Sequence, residues 1–490
     1  MLSRLASHRL WLRPTAALYR AASATAARRR FATSIPETVQ GLQSALEAKT
    51  GDVTVVSSSP NMLKVRSKGL SPSIGQLVSL SEGTKGVVVH FDSSVATVLL
   101  LKHDTPVGTG TRVQFDNLGT FQAVRLPFVP IIDRIPVSRR IRTGLGLVDA
   151  LSPIAEGQSI AIRGPSTANS IYMALALNKI VSNAIREDIT VVYCNPLGPA
   201  PASIADLPCD GLDLICGDQS SPAVGYLALL KALEVAKERR EGGRTMLILD
   251  NVAEYVELNG QLRSEAGIPM PLSTEQIVSA AMQYSCNTRS KLCPLTTVVF
   301  TDKFSRDVEM QADTLLQYDV AAASFDATGL CHNSLLNSLL PPLEAKCVKE
   351  LRDMHAKITM KRSAIAEQQA FGIHVEYWEE EDMQHWSNAL AILDAIPLSL
   401  PPAKRILVMR SVLVYYFVGK RNLEEASIAA FIDELSDCIA TNEPRIMDAI
   451  NVVLAEPDCS PEVVEDLCYR LDWTLAKYRY NFELATPKEV

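Results

Sequence analysis

Apolar and polar positions change rhythm twice along the chain. From 50 to 127, short apolar runs alternate with polar breaks: Val53–Ser57, Met62–Ser67, Gln76–Leu80, Gly86–His90, Ala96–Leu101, Arg112–Phe115 and Phe121–Leu126. Gly, Pro, Ser or Asp punctuates them, which predicts a small antiparallel barrel or sandwich. Pro127–Pro136 (PFVPIIDRIP) reads as a proline-punctuated linker. From 128 to 342 the pattern predicts strands at Ser159–Arg163, Ile189–Tyr193, Leu212–Cys216, Met246–Leu249 and Thr296–Thr301. Between them lie helical stretches at Ser170–Arg186, Val224–Arg240 and Ser273–Tyr284. Helices long enough to cross between strands predict a parallel α/β sheet. From 343 to 490 helical periodicity dominates, at Leu343–Phe371, Lys404–Val418, Leu423–Cys438, Arg445–Leu454 and Pro461–Tyr480. Pro401, Pro402 and Pro461 mark starts or breaks there. A short helix is expected around Glu37–Lys49, and Glu379-Glu380-Glu381-Asp382 reads as a solvated acidic turn between helices.

The first 31 residues differ from everything after them. They carry seven arginines (Arg4, Arg9, Arg13, Arg20, Arg28, Arg29, Arg30), no lysine and no acid; the first carboxylate is Glu37. Their apolar residues, Leu2, Leu5, Leu10, Trp11 and Leu12, are broken by Arg9 and Arg13, whereas a secretory signal needs an unbroken apolar segment. The stretch is expected to be a mitochondrial transit peptide (1–31) with cleavage near Arg30-Phe31-Ala32; the alternative is a basic disordered tail.

Charge narrows the function classes. The whole chain carries a formal net charge of −7. Without those seven arginines, 41 basic residues face 55 acidic ones, a net −14. Such a chain is a poor non-specific nucleic-acid binder, because that binding runs on phosphate neutralisation. No apolar run approaches the roughly 20 residues that cross a bilayer, so membrane association is expected only through partners. The ten cysteines are scattered, none in a C-x-x-C pair, and the seven histidines do not cluster with them. Buried free thiols are expected rather than a zinc site or a disulfide framework.

The segment Thr143–Gln158, TGLGLVDALSPIAEGQ, is the most specific in the chain. It resembles the approach to the nucleotide-binding loop in the α and β subunits of F-type ATP synthases. Thr143, Gly144, Asp149, Leu151, Pro153, Ile154, Gly157 and Gln158 all fit that family's pattern, eight positions within 16 residues. Val129–Arg134 (VPIIDR) is similar to the family's link between barrel and core. Ser220–Tyr226, with the following helix and LILDN, is similar to the α subunit's approach to its Walker B strand. Gln369-Ala370-Phe371-Gly372 and Val408–Leu423 resemble the α subunit's C-terminal helices. The resemblance implies a multidomain α/β chain: an N-terminal β-barrel (50–127), a RecA-like core (128–342) and a C-terminal α-helical bundle (343–490).

The family's phosphate loop is G-x-x-x-x-G-K-[ST]. Its backbone amides cradle phosphates, its lysine bridges them, and its hydroxyl ligates magnesium. Here the matching stretch is Gly164-Pro165-Ser166-Thr167-Ala168-Asn169-Ser170-Ile171. Gly164 keeps the first glycine, but Asn169, Ser170 and Ile171 stand where the second glycine, the lysine and the hydroxyl belong. Losing the lysine removes a charge-assisted bond of about 1.5–3 kcal/mol, roughly 10- to 150-fold in affinity. A helix N-terminus still offers a weak anion site. Other positions depart as well. The group that orients attacking water should fall near Leu197, within Cys194-Asn195-Pro196-Leu197, which has no Glu or Gln. The arginine that an α subunit gives to its neighbour's site should fall near Ser338, and no arginine occurs from Asp307 to Leu351. About twenty residues usual between barrel and core in the family are missing as well, since Phe121–Leu126 runs almost straight into Val129–Arg134. Asp250 matches the Walker B carboxylate, as a magnesium ligand or as the cap of the next turn.

The implied function is a non-catalytic, alpha-like structural subunit of the mitochondrial ATP synthase head, with impaired or lost nucleotide binding. The degenerate site is Gly164, Ser166, Thr167, Ala168, Asn169, Ser170 and Ile171, with Asp250 as candidate metal ligand for ATP or ADP with Mg2+. Implied partners are the β, γ and peripheral-stalk subunits, on the matrix side of the inner membrane. The alternatives are an assembly factor or accessory subunit derived from a retired α paralogue, and an active rotary or helicase-type ATPase.

Overall fold

The structure is a computed structural model. It describes residues 53–483 except 60, 68–71, 73–75, 81–83, 103–106, 116–128, 208–209, 219–220, 266–272, 290–291, 304–305, 320–323, 327–338, 373–376, 398, 415–424 and 457. The expected transit peptide, the Glu37–Lys49 helix and the Phe121–Leu126 strand lie outside the described residues.

The first unit is a six-stranded antiparallel sheet: β1 (Val53–Ser59), β2 (Met62–Ser67), β3 (Leu77–Leu80), β4 (Lys85–Asp92), β5 (Val95–Lys102) and β6 (Val113–Phe115), in the order β1-β2-β5-β4-β3-β6. Its outer strands meet. Thr54 bridges Arg112, and Val55 exchanges backbone bonds with Thr111 and Gly110 at 3.0 and 2.8 Å. Alternate residues such as Val53, Val55, Leu63, Val65, Val88 and Val98 fill the interior, as the two-residue period of a strand requires. β4 departs from strict alternation: Val87, Val88 and Val89 are all buried. Val87 and Val89 pack outward against the next unit, so this sheet has two covered faces.

A 3-10 turn at Ile131–Asp133 opens the link, followed by β7 (Arg134–Ile135), β8 (Arg140–Ile141), α1 (Gly146–Leu151) and β9 (Ile154–Ala155). The core then alternates β10 (Ser159–Arg163), α2 (Ile171–Arg186), β11 (Thr190–Asn195), α3 (Ala202–Ala205), β12 (Leu212–Cys216), α4 (Pro222–Gly242) and β13 (Thr245–Leu249). It continues with α5 (Val252–Glu265), α6 (Ser273–Tyr284), β14 (Asn287–Thr288), β15 (Leu295–Thr301), α7 (Arg306–Gln311), β16 (Thr314–Asp319) and β17 (Ser324–Asp326). The sheet order is β12-β11-β13-β15-β10-β16-β17, parallel throughout except for β17. Both faces are covered, so every residue of β13 and β15 is buried, their threonines included.

The helical unit comprises α8 (Pro342–Ala370), α9 (Tyr377–Asp394), α10 (Pro402–Leu413), α11 (Glu425–Asn442), α12 (Pro444–Ala455) and α13 (Pro461–Glu483). Proline occupies the first turn of α8, α10 and α12, where its missing N–H costs nothing. Tyr377–Asp394 corrects the sequence reading: Glu379–Asp382 lies within a helix, not a loop. Trp386, Ala389, Ile392 and Leu393 are buried on one side of that helix, and the Trp386 Nε1–H donates to His355 Nδ1 on α8 at 3.2 Å. Apolar anchoring of its C-terminal half outweighs the acidic start. No described helix is long and apolar enough to cross a membrane.

Candidate functional site

The Thr143–Gln158 segment folds as a strap that fixes β10 and the loop beyond it. The Asp149 carboxylate accepts from the Thr143 amide and hydroxyl at 3.0 Å each, and from the Gly144 amide at 3.1 Å. Gly144 takes φ +78°, a conformation that suits glycine. Burial raises the Asp149 pKa, and these donors with Arg140 pull against that shift. Gln158 closes the other end by accepting from the Ala155 amide at 2.7 Å. The eight motif positions thus include the hydrogen-bonding groups of one turn-and-return. Asn183 on α2 donates to the Thr143 carbonyl at 3.1 Å, tying the strap to the helix that begins at the loop.

β10 delivers the chain to Gly164, whose amide donates to the Thr301 carbonyl at 2.9 Å. A β-carbon on Gly164 would sit 2.9 Å from the Met173 Sδ and 3.1 Å from Tyr318 Cβ, so close packing alone accounts for this glycine. Beyond it, the loop turns its hydrogen-bonding groups on itself. The Asn169 and Ser170 amides both donate to the Ser166 carbonyl at 3.0 Å, and the Ala168 amide donates to Ser166 Oγ at 3.3 Å. Ser166 Oγ donates to Asn251 Oδ1 at 2.8 Å. Ser170 caps α2, its hydroxyl accepting from the Met173 amide at 3.4 Å. Ala168 and Asn169 are exposed, and Ile171 is 71% exposed.

Thr167 points inward. It is 3% exposed, and its hydroxyl donates to Asp250 Oδ2 at 2.5 Å. The Tyr193 hydroxyl, from β11, donates to the same oxygen at 2.6 Å. Asp250 sits at the end of β13 with no exposed surface, and its Oδ1 is buried without a hydrogen-bond partner. Burial raises its pKa, opposed by the Thr167 and Tyr193 hydroxyls. Tyr193 is pushed far above the ordinary phenol range, by burial first and then by the neighbouring carboxyl. Asn251 follows at φ +53°, a conformation asparagine tolerates better than most residues.

A cavity of about 970 Å3 opens over this cluster. Loop residues Ser166–Ile171 form one wall, Leu197–Ser203 another, and Asn195, Cys216, Gly217, Asp218, Asn251 and Glu254 complete it. Among the described residues that line it, none is Lys or Arg, while Asp218 and Glu254 contribute carboxylates. Leu197 is buried, its amide donating to Asn195 Oδ1 at 3.1 Å. Ser338 lies outside the described residues. The structure therefore brings Thr167 and Asp250 into contact, ties Ser166 to the neighbouring Asn251, and leaves Ala168, Asn169 and Ile171 facing outward. A magnesium-nucleotide needs a cation, free amides and a metal-ligating hydroxyl at this place. The loop holds no cation, two of its amides bind its own carbonyl, and its buried hydroxyl is engaged by Asp250; the residues do not fit the group.

Sequence reasoning missed Tyr193, Asn195 and Asn251. Two had a weak signal: Tyr193 stands on the strand that pairs with β13, and Asn251 directly follows Asp250.

No protein-family model matches the chain. The chain is similar to ATP synthase subunit alpha 2 of Syntrophotalea carbinolica, 32% identical over 135 residues, covering 26% of this chain and 25% of the relative. It is 29% identical over 265 residues to ATP synthase subunit alpha 2 of Polaromonas naphthalenivorans, covering 45% and 49%. With ATP synthase subunit alpha of Ehrlichia ruminantium the identity is 24% over 243 residues, covering 39% and 48%. The chain thus matches between a quarter and a half of the length of these curated relatives. With a barrel sheet, a parallel core and a helical unit in this order, the chain is a divergent, alpha-like relative of the ATP synthase alpha subunits.

Proposed function

We propose that the chain is a non-catalytic structural subunit of the mitochondrial ATP synthase head and has lost nucleotide binding. The observation that carries this reading is the closed loop: Thr167 and Tyr193 hold Asp250 where a nucleotide site would present magnesium and phosphate. The acidic cavity above them adds to it, because a triphosphate placed there would meet two carboxylates and no cation. The arginine-rich, acid-free start supports import into the mitochondrion, and the matrix side of the inner membrane is where the complex would hold it. In this role β, γ and the peripheral-stalk subunits are its partners, with the barrel in the crown and the helical unit around the central stalk.

One observation favours a second reading. No arginine lies between Asp307 and Leu351, so a ring position would leave each facing catalytic site without its charge-stabilising group. An accessory subunit or assembly factor derived from an α paralogue would not carry that cost. A native mass spectrum of the complex separates the two by counting this chain against β. Equal copy numbers support the ring position; a substoichiometric count supports the accessory one; absence from the complex throughout assembly contradicts both.

A further inference from the structure

The cavity of about 970 Å3 over Asp250 carries hydrogen-bonding groups that its own residues do not use up. Two of its lining side chains are buried amides: Asn195, at the end of β11, is 4% exposed, and Asn251, just after β13, is 8% exposed. Both amide oxygens are engaged. Asn195 Oδ1 accepts from the Leu197 amide at 3.1 Å, and Asn251 Oδ1 accepts from Ser166 Oγ at 2.8 Å. The nitrogens are only half used. Asn195 Nδ2 donates to the Pro199 carbonyl at 3.1 Å, and Asn251 Nδ2 reaches Asn195 Oδ1 at 3.5 Å. Each carboxamide nitrogen carries two N–H donors, so one on each side chain has no acceptor among the described residues. A buried donor left in this way calls for an acceptor.

The walls narrow what that acceptor belongs to. Asp218 and Glu254 supply carboxylates, and among the described residues no lysine or arginine lines the cavity. Leu197, Pro199 and Pro201 form an apolar side. Ile171 also lines the cavity and is 71% exposed, and Tyr172 and Leu175 beside it at the start of α2 are 56% and 50% exposed. An anion would accept from the amides but meet two carboxylates, and a simple amine would suit the carboxylates but bring no acceptor. A peptide brings both. An extended chain presents a carbonyl at each step of about 3.3–3.6 Å, with basic and apolar side chains between.

We propose that this cleft is a peptide-binding site, which takes an extended segment of a partner protein bearing arginine or lysine. Backbone carbonyls of the segment accept from the spare N–H donors of Asn195 and Asn251. Its basic side chains lie toward Asp218 and Glu254, and its apolar ones against Leu197 and the exposed start of α2. Complementary charge draws the segment in, and the buried amides fix its register. The inference rests on the reading that the cleft holds no nucleotide, because a bound triphosphate would occupy the same walls.

The test is fluorescence anisotropy of the full chain with a fluorescein-labelled nonapeptide of alternating arginine and alanine. The expected result is saturable binding, lost when glutamate replaces the arginines. Asp218→Asn with Glu254→Gln, both at exposed positions, should weaken it about 2- to 30-fold, the scale of two exposed ion pairs. Asn251→Gly suits the backbone φ of +53° and leaves the net charge unchanged. It should weaken binding about 2- to 10-fold, the scale of one hydrogen bond. Affinity untouched by both changes would put the peptide elsewhere on an acidic surface and overturn the proposal. Spermidine competing as well as unlabelled peptide of equal charge would also overturn it, making the ligand a small amine. A separate titration with magnesium-ATP tells the two failures apart. ATP bound in the cleft defeats the nucleotide-free reading, whereas binding of neither ATP nor peptide defeats this inference alone.

Discussion

Thr167 and Asp250 stand 83 residues apart in sequence, yet the Thr167 hydroxyl lies 2.5 Å from the Asp250 carboxylate. This contact ties the loop between β10 and α2 to the end of β13. On the proposed reading, this hydroxyl engages the carboxylate that a nucleotide site would turn toward magnesium and water.

Thr167→Val keeps the shape and removes the hydroxyl. It leaves a buried carboxyl oxygen with Tyr193 as its remaining side-chain donor, at a cost of about 1–3 kcal/mol. Urea unfolding should show a lower midpoint with an unchanged m-value. An unchanged midpoint would mean that this bond contributes nothing.

Asp250 gives stability a pH dependence of defined sign. Its folded pKa is raised by burial, so the folded state binds more protons than the unfolded one above about pH 3.9. Stability from this group is present at lower pH and falls as pH rises from the unfolded value through the raised folded one. Asp250→Asn, a neutral mimic, should remove that slope. Its stability relative to the natural chain should climb from pH 4 to pH 8 in parallel denaturation curves.

Gly146 begins α1 against the end of α9. A β-carbon there would lie 1.9 Å from the Asp394 carbonyl oxygen, and backbone cannot move aside as a side chain can. The Asp394 carboxylate also caps α1, accepting from the Leu147 amide at 3.1 Å. Gly146→Ala should cost about 1–3 kcal/mol or more through overpacking. Gly198→Ala, which meets open space, should be nearly silent in the same thermal melt.

Rebuilding the family's loop tests whether its three departures are what the proposed lack of nucleotide binding rests on. Asn169→Gly, Ser170→Lys and Ile171→Thr together return the second glycine, the cation and the metal-ligating hydroxyl. The triple variant should bind magnesium-ATP by fluorescence titration at least about tenfold more tightly than the natural chain, the scale of one charge-assisted bond. No gain would place the obstacle in the Thr167–Asp250–Tyr193 cluster instead.

Much of the architecture was legible because its signals are local. Runs such as Met62–Ser67 and Ser159–Arg163 carry their own period, and Ser170 announces the start of α2 as a capping residue does. α9 was not legible: its opening four acids outweigh, in sequence, an apolar side whose value appears only once Trp386 meets His355. β16 was hidden similarly, as Leu316 and Tyr318 are buried while Gln317 faces out over a run of only six residues. At the site, the missing lysine and hydroxyl could be read directly from Ser170 and Ile171. That Thr167 turns inward could not, because its partners Asp250 and Tyr193 come from two other strands. Tertiary contacts leave no periodicity to read.

The central claim is that this cleft no longer holds magnesium-ATP, and isothermal calorimetry of the purified natural chain measures it directly. We expect no binding heat at millimolar magnesium-ATP. Saturable micromolar binding that Asp250→Ala abolishes would contradict it.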